Sequence, residues 1–119
     1  MTGLVNMYIS VLSKVPVMVL ILLASISVII GDYSAKTWSL NHKGIFLLLA
    51  FAGYFFSGFF YIPTLLREGL IVTSVIWGLL STIGFITIGL VVFKEVLSVT
   101  QIVAVVLGIS SILILTIFN

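Results

Sequence analysis

The chain has 119 residues, 62% of them hydrophobic and 7% charged, with a formal net charge of +2. So few charges cannot cover so much apolar surface in a soluble domain, which points to the bilayer as solvent. The basic residues are too scattered for a nucleic-acid face, and the absence of cysteine removes disulfides, thiol chemistry and cysteine-based metal sites.

Residues 1–13 come first. "LVNMYISVL" is too short to span and too apolar for a solvated tail. It predicts a short helix lying in the interface, with an extension of the next helix as the alternative. A cleaved signal peptide is not expected, because its apolar region would be long and "YSA" is a poor cleavage site.

The remainder, residues 14–119, predicts one helical membrane domain of four spans, because a hydrocarbon core takes roughly 20 apolar residues per helix. Open strands in lipid would leave backbone groups unpaired. The first span is expected from Pro16 to Ala35, with Pro16 in its first turn and Lys36 closing it. At about 100° per residue, Ser25, Asp32 and Lys36 share one stripe. Ala24, Ser27, Gly31 and Ser34 share another, small enough for a second backbone to approach closely. Asp32 and Lys36 stand in the favourable order for an i, i+4 ion pair. With Asp32 placed in the last turn, however, the helix dipole opposes its charge. An ionisable residue inside a span is costly and marks a functional site by default. Such a carboxylate can hold a proton and exchange it for a cation.

The second span is expected from Gly44 to about Thr64. It is crowded with aromatic rings, read mostly as lipid contact and packing, with Tyr61 at the interface. Tyr54 and Ser57, beside small residues, are the ones expected to face a cavity. The third span is expected from Leu70 to Phe93. Trp77 lies too deep in it for an interfacial belt, and its indole N–H needs a partner when buried. Ser74 and Ser81 share its face, so Ser74, Trp77 and Ser81 read as a pocket lining. The fourth span, Val99 to Phe118, has Ala104 and Gly108 as a small-xxx-small step, continued by Ser111. It reads as an association helix.

The joints carry Arg67 with Glu68, Lys94 with Glu95, and His42 beside Lys43. All read as solvated. Lys14 and Arg67 on one side balance Lys36, Lys43 and Lys94 on the other, so the positive-inside rule gives almost no preferred orientation. Insertion both ways up and an antiparallel pair follow as an expectation. There is no metal cluster, no nucleophile with a base and no phosphate-binding loop, so neither an enzyme nor a cofactor is expected.

The order of these features resembles the small multidrug resistance family, within the drug/metabolite transporter superfamily. The matching stretches are "GDYSAK" in the first helix, "YIPT" ending the second, "VIWGLLSTIGFITIGLVVFKE" in the third and "LSVTQIVAVVLGISSILIL" in the fourth. From Trp77 to Leu115 the family pattern lies on the chain without a gap. "LLREG" contains a small insertion, and residues 1–13 are additional.

The resemblance implies four helices, three lining a chamber and the fourth holding a dimer. It implies proton-driven export of hydrophobic or guanidinium-like cations across a bacterial or archaeal cell membrane. Trp77 falls on the chamber tryptophan and Ala104, Gly108 and Ser111 on the dimer face. Ser74 stands where the drug exporters keep a tyrosine. Val28 stands where their proton-coupling glutamate belongs, so Asp32, one turn later and about 40° round the helix, is the candidate substitute. A related branch, paired subunits that flip an aminoarabinose-linked lipid, also lacks the glutamate and ends this helix in Lys. There the substrate would be an anionic lipid-linked sugar, Lys36 the attracting group, and the partner a different small subunit. A non-transporting assembly subunit is the third reading.

The leading expectation is a dimeric transporter in which Asp32 binds proton or cation and Trp77 stacks on substrate. Ser25, Tyr54 and Ser74 would tune the chamber.

Overall fold

The computed structural model describes residues 2–118, without the side chain of Thr116. Met1 and Asn119, which belong to the expected N-terminal segment and membrane domain, lie outside the described residues. The helices are α1 (Thr2–Ser13), α2 (Val17–Asn41), α3 (Gly44–Tyr61), α4 (Leu70–Val91) and α5 (Val99–Ile117), and a 3₁₀ turn, Ile62–Leu66, follows α3. No strand occurs among the described residues.

Three stretches are long and apolar enough to cross a membrane: Val17–Asn41, Gly44–Leu66 and Leu70–Val91. This is the character of an α-helical membrane protein. The apolar run in α5, Val99–Leu115, is shorter than these three.

α1 is a separate helix. Lys14 to Pro16 break it from α2, and Pro16 is extended, φ −57° and ψ 143°, as the residue that caps α2. Its carbonyl accepts from Leu20 N at 3.2 Å. Pro16 thus precedes the first turn rather than standing in it.

α2 does not stop at Ala35. It continues through "KTWSLN" to Asn41. The physical reason is that a lysine marks where a side chain reaches the headgroups, while its backbone favours continued helix. The end comes at His42, in the left-handed region at φ 56°, whose N–H bonds Trp38 O at 2.7 Å. That closes a carbonyl the helix would leave unpaired.

α3 ends for a different reason. Pro63 has no N–H to continue the α-helical ladder, and the chain tightens into the 3₁₀ turn. α4 ends short of the expected Phe93, at Val91. Lys94 turns the chain at φ 52°, and Glu95 N reaches back to Gly89 O at 2.9 Å. Ser98 and Gln101 then form a reciprocal capping box at the start of α5.

α2 is the hub, packed along α3 and also against α4, while α5 packs against α4. The small-residue stripe on α2 sets the α2–α3 distance. A Cβ built on Gly53 would lie 2.7 Å from both Gly31 N and Ser27 O, so the two backbones touch there. The apolar core is small: Leu12, Leu20, Ile21, Ala24 and Ala50 are buried.

The molecule is a slab of 50 × 43 × 17 Å with a radius of gyration of 16.3 Å. A compact chain of this length has about 13–14 Å. The helices therefore lie side by side and leave broad apolar faces open.

Candidate functional site

Asp32 lies on α2 more than two turns before Asn41. It is therefore not in the last turn, and the helix dipole does not oppose its charge, since that field falls off within one turn. Nor does it pair with Lys36. Lys36 Nζ lies 3.5 Å from Glu95 Oε1, and Asp32 Oδ1 instead accepts from the Tyr54 hydroxyl at 2.8 Å. The α2–α3 contact explains this choice. Gly31 lets α3 come so close that the Tyr54 ring lies against it, which brings the hydroxyl to the next residue.

Two cavities meet at Asp32. The larger, about 310 Å³, is also lined by Tyr33, Lys36, Phe85, Phe93 and Glu95. The Lys36–Glu95 pair and the Tyr33–Phe93 ring contact, 5.6 Å between centroids, stand on its wall. The smaller, about 210 Å³, is lined by Val28, Asp32, Trp77, Ser81 and Phe85 among others. Asp32 and Phe85 are the side chains on both linings that lie on facing helices, α2 and α4.

Trp77 stacks on Tyr61, with centroids 4.5 Å apart and planes 28° from parallel. Tyr61 and Ser74 share a hydrogen bond of 2.6 Å. Tyr61, expected at the interface, lines neither cavity itself but backs Trp77, which lines the smaller one. Ser74 reaches the site through Tyr61 and lines neither cavity. Among the described residues, the Trp77 Nε1 and Ser81 Oγ atoms are buried without a hydrogen-bond partner, as is Ser25 Oγ. Trp77 therefore does not find the partner its burial calls for. Ser25 is only 2% exposed and also lines neither cavity.

Ser57 does not face a cavity. It is buried and donates to Ala24 O at 2.8 Å, tying α3 to α2. The neighbouring rings of Phe55, Phe56, Phe59 and Phe60 pack on one another. Arg67 is not merely solvated either: its guanidinium donates to the carbonyls of Leu12, Ser13 and Val15. Ala104, Gly108 and Ser111 are exposed on α5. A Cβ on Gly108 would meet nothing within 4 Å.

Sequence reasoning missed Tyr61, Phe85 and Glu95 as members of the site. Tyr61, at the end of α3, reads as interfacial, and Glu95, in the joint between α4 and α5, reads as solvated. Phe85 had a signal: it falls eight residues after Trp77, two turns along the same face. No group of three or more metal-ligating side chains occurs among the described residues.

No protein-family model matches the chain, and comparison with curated proteins finds no match.

Proposed function

We propose that the chain is a four-span transporter of the small multidrug resistance type, working as a dimer, that exchanges protons for a hydrophobic cation at Asp32. The observation that carries this reading is the position of Asp32. It is a carboxylate on an apolar helix, anchored by Tyr54 and bordering two cavities, one of which Trp77 also lines.

The missing glutamate is less of an obstacle than the sequence suggested. Val28 and Asp32 line the same 210 Å³ cavity with Trp77. A carboxylate displaced by one turn thus still faces the space that the expected one would face. The partner of Lys36 bears on the charge of the substrate. With Glu95 beside it, Lys36 is a poor lure for an anionic lipid-linked sugar, which favours the cation reading over the flippase reading.

α5 is the fourth span in this proposal. Its 19 residues, at about 1.5 Å each, approach the roughly 30 Å of a hydrocarbon core. The exposed Ala104, Gly108 and Ser111 form the face on which a second copy docks, and the second copy closes the open side of the slab. Near-balanced flanking charge supports an antiparallel arrangement in a bacterial or archaeal cell membrane.

The test is uptake of tetraphenylphosphonium into proteoliposomes holding the full chain under an imposed pH gradient. The proposal expects gradient-dependent uptake that Asp32→Asn abolishes without loss of helix content. Equal uptake by protein-free liposomes or by Asp32→Asn would overturn it.

A further inference from the structure

Pro63 takes something from α3 that the helix does not replace itself. In an α-helix the Phe59 carbonyl would accept from the N–H of residue 63, and proline has none. An unpaired carbonyl in an apolar setting is costly. The Tyr8 hydroxyl of α1 donates to the Phe59 carbonyl. The Tyr8 ring packs on the Phe59 ring as well, 4.8 Å between centroids. α1 therefore supplies, from fifty-one residues away in sequence, the hydrogen bond that Pro63 withholds.

The other end of α1 is tied to the same place. Arg67, just past the 3₁₀ turn, donates to Val15 O at 2.6 Å, Ser13 O at 3.2 Å and Leu12 O at 3.4 Å. A cation at a helix C-terminus satisfies its last carbonyls and suits its dipole. Between the two ties, Phe59 and Arg67, lies Tyr61. Its backbone carbonyl accepts from the Thr64 hydroxyl at 2.6 Å, and its ring is the one stacked on Trp77.

We infer that α1 is a strap that positions Tyr61 against Trp77, with Tyr8 and Arg67 as positioning residues for that stack, which backs the smaller cavity through Trp77. The strap fixes where α3 ends, and the end of α3 fixes how Tyr61 is presented to α4. The inference deepens the transport reading by naming what holds the ring behind Trp77, but its geometry is testable without any transport.

The chain has two tryptophans, so Trp38→Phe leaves Trp77 as the sole tryptophan, excited selectively over the tyrosines. The readout is collisional quenching of Trp77 by acrylamide in the full chain in micelles. Tyr61→Leu, which removes the stacked ring, sets the value for an uncovered indole. Tyr8→Phe keeps the ring contact and loses only the hydroxyl. It is expected to move quenching most of the way to the Tyr61→Leu value, and Arg67→Gln is expected to move it in the same direction. Pro63→Ala restores the N–H to the Phe59 carbonyl, so Tyr8→Phe combined with Pro63→Ala is expected to return to the starting value. A general loss of folding would not be rescued in that way. The inference is overturned if Tyr8→Phe leaves quenching unchanged, if Pro63→Ala fails to rescue it, or if Tyr61→Leu itself has no effect.

Discussion

Tyr54 donates to Asp32 Oδ1 at 2.8 Å, and each of the two residues directly follows a glycine of the α2–α3 crossing, Gly53 and Gly31. The close backbone contact of α2 with α3 thus sets the hydrogen bond that Asp32 accepts.

Gly53→Ala is therefore the most damaging small substitution in this pair of helices. Its Cβ would press on backbone atoms of Gly31 and Ser27, which cannot rotate away. Overpacking of this kind costs about 1–3 kcal/mol. Gly58→Ala, where a Cβ meets nothing within 4 Å, is expected to stabilise α3 by up to about 1 kcal/mol through helix propensity. Denaturation in mixed micelles measures both, and a Gly53→Ala chain as stable as Gly58→Ala would contradict the crossing.

Tyr54→Phe keeps the ring over Gly31 and deletes the donor. A hydrogen bond to a charged acceptor contributes about 1.5–3 kcal/mol when sheltered. Tyr54 is 41% exposed, so the lower end of that range is expected in the same assay. Uptake is expected to fall but not vanish, because Asp32 itself remains.

Much of this was legible in the sequence, for identifiable reasons. The Ala24–Ser27–Gly31–Ser34 stripe announced a close helix contact, because helical spacing puts small residues on one face. The break at Pro16 was equally local. What stayed hidden was pairing between elements. The i, i+4 spacing suggested Lys36 for Asp32, while the fold brought Tyr54 from the next helix and gave Lys36 to Glu95. The first span runs on past Ala35 because Lys36 marks the headgroup level and not the end of the helical backbone. Tyr8 and Arg67 carry no motif at all; only the missing N–H of Pro63 hints that something must reach Phe59.

The Lys36–Glu95 pair spans the wall of the larger cavity with both side chains about half exposed, 43% and 49%. Exposed pairs of this kind contribute about 0.2–1 kcal/mol. A double-mutant cycle with Lys36→Gln and Glu95→Gln is expected to give a coupling within that range, falling as salt rises. A coupling of several kcal/mol, or one insensitive to salt, would show that the pair is sheltered in the working assembly.

Gly108→Leu tests the proposed docking face on α5. Among the described residues nothing lies within 4 Å of a Cβ built at that position, so the protomer is expected to fold as before. Close packing of small residues across helices does not tolerate a leucine, so the dimer is expected to dissociate. Sedimentation in micelles reads the mass directly. A dimer that persists in Gly108→Leu would move the interface elsewhere.

The most direct measurement of the central claim is proton release. Tetraphenylphosphonium is added to the purified full chain in weakly buffered micelles, and the pH is followed. The account predicts acidification that saturates with bound cation and is absent in Asp32→Asn, whose dimer and helix content are unchanged. Acidification of equal size in Asp32→Asn, or cation binding with no proton released by the native chain, would contradict it.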